Sequence, residues 1–208
     1  MAITESLEQI IISEDGQCDK FYEVADNLFS DSIESIQIAP EGVVTNIYPE
    51  EGNQAGKIDL LHDEARKKYT QYAVDNDTAV LQGPFSLKQG GSDIVIRNPV
   101  FLEENGQKKF WGFTIVIIRV PEIFSESVES LQAFGYAYSL KKTVSPWGTD
   151  YVYVYGSSDT LKDPVSAAFE FQGDTWKLDV APVGGWKNTD LLFKLWCSGV
   201  PFAILLSL

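Results

Sequence analysis

Arg97 is the residue of this chain with the clearest chemical implication. It stands in the run Ile94-Val95-Ile96-Arg97-Asn98-Pro99-Val100-Phe101, and a cation in an otherwise apolar strand must find carboxylate or backbone partners inside the fold, or meet a ligand that supplies them. A guanidinium gives planar, bidentate donation to a carboxylate or phosphate, so the chemistry suggested is capture, not bond making. Immediately upstream, Gly83-Pro84-Phe85-Ser86-Leu87-Lys88-Gln89-Gly90-Gly91 reads with this run as strand, tight turn, strand, because a Gly-Gly dipeptide tolerates positive φ at no steric cost. The pair of strands suggests a binding pocket.

Residues for covalent or acid–base catalysis are sparse. The single histidine, His62, lies beside Asp63 at the start of an expected helix, and no serine, cysteine or second ligand is tied to it by a known motif spacing. It reads as a surface or capping residue. Cys18 and Cys197 lie near opposite ends of the chain and form no metal-ligand spacing. No phosphate-binding loop or dinucleotide fingerprint occurs, so the sequence points to no catalytic residue, no metal and no cofactor, and does not argue for an enzyme.

Composition narrows the partners. With 208 residues and a formal net charge of -14, the chain is long enough for a sizeable core but unsuited to nucleic acid, which requires clustered Lys and Arg. Its basic pairs, such as Lys67-Lys68, Lys108-Lys109 and Lys141-Lys142, are solvated faces. Low cysteine use does not decide the compartment. No secretory signal precedes the first helix, because residues 2–12 carry acidic side chains and no basic n-region; export would require a signal upstream or already removed. Residues 191–208 are almost wholly apolar. They are expected to begin a truncated transmembrane helix, with Trp186 and Trp196 at the interface, because a soluble helix of that length usually keeps a polar face. The alternative is a buried C-terminal helix.

Helices and hairpins alternate between these ends. Residues 19–29 place Phe21, Val24, Ala25, Leu28 and Phe29 at helical spacing, after a break at Asp15-Gly16. Residues 35–39 and 43–48 are expected as a hairpin around Pro40-Glu41-Gly42, and 60–74 as a second helix. The run 110–120 reads as a strand buried on both faces and central to its sheet, joined to 94–101 across Glu104-Asn105-Gly106. Pro121 is expected to open a helix that ends at Gly135. Strands follow at 136–140, 151–155, 165–171 and 175–181; in the last, Trp176, Leu178 and Val180 alternate with Lys177 and Asp179.

Several ordered motifs resemble one family. Ser35-Ile36-Gln37-Ile38-Ala39-Pro40-Glu41-Gly42-Val43-Val44, Ile47-Tyr48-Pro49-Glu50-Glu51-Gly52-Asn53 and Ile58-Asp59-Leu60-Leu61 are similar to the bacterial CHASE domain. So are Gly83-Pro84-Phe85, Gln89-Gly90-Gly91, Arg97-Asn98-Pro99-Val100-Phe101 and Phe110-Trp111-Gly112-Phe113, and the resemblance covers about 19–122. It implies an α+β fold, in which an N-terminal helix precedes two PAS-like subdomains, each an antiparallel sheet with flanking helices. It also implies a homodimeric extracytoplasmic sensor between transmembrane helices, with the ligand pocket in the membrane-distal subdomain. The output would be a cytoplasmic histidine kinase, nucleotide cyclase or diguanylate cyclase. On this basis residues 1–31 form the N-terminal helical segment and 32–122 the membrane-distal subdomain. Residues 123–187 supply the connecting helix and membrane-proximal subdomain, and 188–208 the start of the exit helix.

The resemblance also places the pocket. In the plant cytokinin receptors of this family an acidic, an apolar and a small hydroxyl residue line the hormone site, and the corresponding positions here fall near Arg66, Lys88 and Arg97. None keeps that chemistry, and a guanidinium cannot accept a hydrogen bond, so cytokinin is not the expected ligand. Arg66 and Arg97, with Lys88, Gln89 and Gly90 at the turn, would instead make a positive pocket for a small carboxylate or phosphate. Two alternatives stand beside it: Arg97 neutralised by Asp59 or Asp63 with Arg66 solvated, and a protein-interaction ectodomain with no small-molecule ligand.

Overall fold

A computed structural model describes residues 2–51, 56, 58–86 and 92–186. Helix α1 (Ala2–Ser13) buries Leu7 and Ile11, which lie four residues apart on one face. Helix α2 (Phe21–Leu28) buries Phe21 and Ala25 at the same spacing. The break foreseen at Asp15-Gly16 is real: both residues have positive φ, and two short helices replace one long N-terminal helix.

Strands β1 (Ile33–Pro40), β2 (Asn46–Tyr48), β3 (Val80–Ser86), β4 (Ser92–Glu104) and β5 (Gln107–Arg119) form one antiparallel sheet in the order β2-β1-β5-β4-β3. The run 110–120 is therefore central, as its apolar character required, with Phe113, Thr114, Ile115 and Val116 each at most 1% exposed. Asn105 and Gly106 turn β4 into β5 with positive φ at both positions, the geometry that matches strand twist. Gly112 allows the closest approach between strands: a Cβ there would lie 2.3 Å from the Ala39 carbonyl oxygen.

The sheet separates two apolar layers. On one face Ile36, Ile38, Ile94, Ile96 and Val116 pack with Leu7, Ile11, Phe21 and Ala25 of the N-terminal helices. On the other, Val95, Phe113 and Ile115 pack with Leu60 and with Ala73 of helix α3 (Lys67–Asn76). Alternation along β4 and β5 assigns each residue to its layer.

Helix α4 (Val120–Ala133) has Pro121 in its first turn and ends before Gly135, whose φ of +76° only glycine adopts freely. It leads to a second antiparallel sheet of β6 (Tyr136–Val144), β7 (Gly148–Gly156), β8 (Val165–Phe171) and β9 (Asp174–Pro182), ordered β7-β6-β9-β8. Phe124 of α4 stacks on Tyr155 at 6.2 Å. Leu140, Val154 and Trp176 of this sheet join the same apolar layer as α1 and α2.

The architecture is thus α+β, with two PAS-like antiparallel sheets after the N-terminal helices. Two segments differ from the sequence reading. Only 46–48 of the expected strand 43–48 pairs with β1, because Val43 turns aside to bridge Asp59. The helix expected over 60–74 starts at Lys67, since the carboxylates of Asp59 and Asp63 take the backbone N–H groups of Leu61, His62 and Ala65 and hold 60–66 in successive turns. The apolar segment 191–208 lies outside the described residues; among those described, no helix is long and apolar enough to cross a membrane.

Candidate ligand-binding site

The turns at 58–66 create a roof over the inner face of the first sheet. Val44 N–H donates to the Ile58 carbonyl at 3.0 Å and Leu60 N–H to the Gly42 carbonyl at 2.8 Å, so the displaced 43–45 segment anchors the roof's start. Thr70 Oγ1 donates to the Leu60 carbonyl at 2.9 Å and ties it to α3. Beneath it lies a cavity of about 220 Å³, between Ile58, Leu60, Ala65 and Arg66 above and strand residues below.

Strand register composes the floor. Gln37, Ile115, Arg97 and Val80 lie side by side across β1, β5, β4 and β3. One pleat along come Ile117, Val95 and Gln82, and one further along β4 comes Asp93. The sheet therefore places Asp93, Val95 and Arg97 on one face as alternate residues, at the cavity wall.

Arg97 is 3% exposed. Its Nη1 donates to Gln82 Oε1 at 2.6 Å, while Gln82 Nε2 donates to the Ala65 carbonyl at 3.0 Å. Gln82 thus joins arginine, sheet and roof. The Arg97 Nε is buried without a partner, and burial, followed by the neighbouring Arg66 charge, lowers the guanidinium's pKa to about 10.

Neither carboxylate foreseen as a neutralising partner is bonded to Arg97, although the Asp63 charge favours its guanidinium. Asp59 accepts from His62 Nδ1 at 2.8 Å, and Asp63 pairs with Arg66 Nη1 at 2.8 Å; these contacts hold both carboxyls below the usual range. Arg66 and Arg97 both line the cavity. Arg66 stands at the entry to α3, half exposed, and its charge reaches Arg97. Lys88, Gln89 and Gly90 lie outside the described residues.

Two site residues escaped the sequence reading. Asp93 and Gln82 are 5% and 6% exposed, and each interrupts an apolar strand as Arg97 does. Extending the period-2 alternation back from Arg97 reaches Asp93; the same test on Val80-Leu81-Gln82 reaches Gln82. The catalytic candidates stay weak: the His62 side chain is 84% exposed and bound to Asp59, and burial, with Glu14 and Asp19 nearby, pushes the Cys18 thiol up to about 11, which keeps it protonated and unreactive at neutral pH. Among the described residues no His, Cys, Asp and Glu cluster could hold a metal ion.

An aromatic contact links α3 to the second sheet. Trp147, in the turn between β6 and β7, meets Tyr69 and Tyr72 of α3 edge-on at 4.4 and 5.5 Å. Lys68 Nζ lies 4.4 Å from the centre of the same indole ring.

The sequence profile of the CHASE domain matches residues 16–146. The chain belongs to the CHASE-domain family. Its match spans the whole first sheet, the roof, α3, α4 and β6. No curated protein is significantly similar in sequence. Among solved structures, the fold resembles an extracellular ligand-binding receptor from Desulfohalobium retbaense, with a TM-score of 0.62 and 12% identity, over 86% of this CHASE chain and 36% of that one. This chain therefore spans about a third of that receptor's chain. It also resembles the ligand-binding domain of an amino-acid chemoreceptor of Pseudomonas aeruginosa PAO1 in complex with GABA, with a TM-score of 0.55 and 14% identity, over 86% and 88% of the two chains. The periplasmic sensory domain of a Campylobacter jejuni chemoreceptor gives a TM-score of 0.55 and 13% identity, over 86% and 85%.

Proposed function

We propose that this CHASE domain is the ligand-sensing part of a transmembrane receptor, and that a small molecule bearing an anionic group binds between the 58–66 roof and the first sheet. The observation that carries the reading is Arg97: a guanidinium 3% exposed, hydrogen-bonded only to a neutral amide among the described residues, at the wall of a cavity. Burying a charge without an opposite partner is costly, and an arriving carboxylate or phosphate relieves that cost. Arg66, paired with Asp63, stands beside that guanidinium at the roof.

Membership of the family and likeness to extracellular and periplasmic sensory domains support a position outside the cytoplasm. On this reading residues 191–208 anchor the domain in the membrane, the receptor is a homodimer, and the output is a histidine kinase or diguanylate cyclase. Catalysis belongs to that output and not to this domain. Ligand binding draws the roof onto the sheet, moves α3, and passes the motion to the second sheet through Trp147 and to α4, which biases two arrangements of the receptor.

The test is a thermal-shift screen of the protein against simple carboxylates, amino acids, purines and phosphate, at salt that suppresses loose ion pairing. A concentration-dependent rise in Tm that disappears in Arg97→Met, with the variant still folded, is the expected result. A flat screen, with Arg97→Met merely unstable, would make the arginine structural. It would favour a protein-interaction ectodomain, whose contact strand would be β8, an edge strand exposed along its whole length with Val165, Phe169 and Phe171 outward.

A further inference from the structure

Arg97 has an unpaired counterpart of opposite sign in the same cavity wall. Asp93 is 5% exposed, its Oδ1 is buried without a hydrogen-bond partner, and no ion pair or hydrogen bond joins it to any described residue. The surrounding charges do not compensate it. Glu34 and Glu122 are acidic neighbours, and among the described residues the cation acting on it, Arg119, is taken up by the Glu34 carboxylate at 2.6 Å and the Asp31 carbonyl at 3.1 Å.

Asp93 and Arg97 do not neutralise each other although they share a face. They are four residues apart on β4, which sets their Cα atoms about 13 Å apart at the usual strand rise. The hydrogen bond to Gln82 draws the guanidinium towards the pleat of Val95, since Gln82 faces Val95 and not Arg97 across the ladder. The two charged heads therefore line the same cavity without bonding to each other. Between them the wall carries Val95 and Ile117, with the Gln82 amide beside them in the same row. The cavity thus has a negative pole, a short hydrocarbon lining and a positive pole.

We infer that the cavity takes a short zwitterion, a molecule with a carboxylate at one end for Arg97 and a protonated amine at the other for Asp93. This rests on the anion-binding reading above and adds the second pole. Size agrees: about 220 Å³ is below the roughly 300–1,000 Å³ of drug-sized sites and fits a chain of a few carbons. A ligand with both charges satisfies both buried groups at once, whereas a simple anion leaves Asp93 unpaired and adds a like charge to its cavity. Asp93's raised pKa and Arg97's lowered one report the same missing partners.

The test is isothermal titration of the protein with glycine, β-alanine, 4-aminobutyrate and 5-aminovalerate, beside butyrate and butylamine as single-charge controls. At least one zwitterion is expected to bind ten-fold or more tightly than either control. Asp93→Asn should abolish that preference while leaving weak butyrate binding, and Arg97→Met should abolish both. Asp93→Ser serves as a second variant, and thermal melts establish that each is folded. Butyrate binding as tight as the best zwitterion, unchanged in Asp93→Asn, overturns the zwitterion and leaves an anion pocket. Butylamine binding indifferent to Arg97→Met, or no binding by any probe, overturns both readings.

Discussion

On the proposed reading, Asp93 and Arg97 hold a binding site ready at the cost of stability. Neither buried charge is bonded to an opposite charge among the described residues, and a buried polar group left unsatisfied costs about 1–3 kcal/mol, more when charged. Burial, with Glu34 next in effect, raises the Asp93 pKa above its ordinary value, Arg119 opposing and Glu122 adding to it. The folded state therefore binds more protons than the unfolded state between the ordinary carboxylate pKa of about 3.9 and the raised folded value. Stability consequently falls as pH rises through that window and stays lower above it. Asp93→Asn lacks this loss, so without ligand it should be more stable than the parent at neutral pH, with the difference shrinking as pH falls through that window and gone below about 4. Urea unfolding at a series of pH values reads this directly; an Asn variant less stable at pH 7 would mean that the carboxylate has a structural partner.

Among the elements, α3 and the β6–β7 turn form the contact through which the proposed site would communicate. Trp147 is clasped by Tyr69 and Tyr72, and Tyr69 sits close enough to both Asp174 and Arg97 to feel their charges. Trp147→Ala should cost about 1–3 kcal/mol, since the ring is half-buried and its aromatic pairs contribute about 0.5–1.5 kcal/mol each. It should leave ligand affinity within about three-fold while abolishing ligand-induced changes in hydrogen exchange across β6 and β7. Retention of those changes would move the coupling to α4. The second sheet has its own buried pair: Lys142 Nζ and Asp174 Oδ2 are 2.6 Å apart with side chains 1% and 3% exposed. Asp174 Oδ1 also accepts from Ser145 N–H at 2.7 Å. Removing one partner of such a pair costs about 3–5 kcal/mol, so Lys142→Met should unfold at markedly lower urea. Lys142→Met combined with Asp174→Leu should recover part of the loss. Equal loss in single and double variants would assign the effect to packing rather than charge.

For the molecule as a whole, net charge and site chemistry oppose one another. A protein of formal charge -14 repels a monoanion at long range, and salt screens that repulsion over about 8–10 Å. Association of butyrate should therefore quicken between about 20 and 200 mM salt, whereas a zwitterion, with no net charge, should be nearly indifferent. Stopped-flow or titration at two ionic strengths separates the two. A zwitterion whose binding weakens steeply with salt would instead point to a surface ion pair as its site.

The α+β architecture was legible in the chain because its local signals agree. Period-2 alternation, the apolar run at 110–120, the Asn105-Gly106 turn and the Pro121-to-Gly135 helix each follow from backbone preference and burial. Arg97 was legible as an anomaly in an apolar strand, and Arg66 reached the same cavity. What the sequence could not express was pairing across distance. That Asp63 is spent on Arg66, that Glu34 takes Arg119 away from Asp93, and that Gln82 joins Arg97 to the roof depends on strand register and on Val43 leaving its hairpin to bridge Asp59. The helix expected from residue 60 failed locally for a related reason: two Asp side chains competed for backbone N–H groups and turned seven residues of apparent helix into the roof. Residue identity determined which groups carry charge. Tertiary structure alone decided which charges found partners, because compensation is a property of positions in space and not of order along the chain.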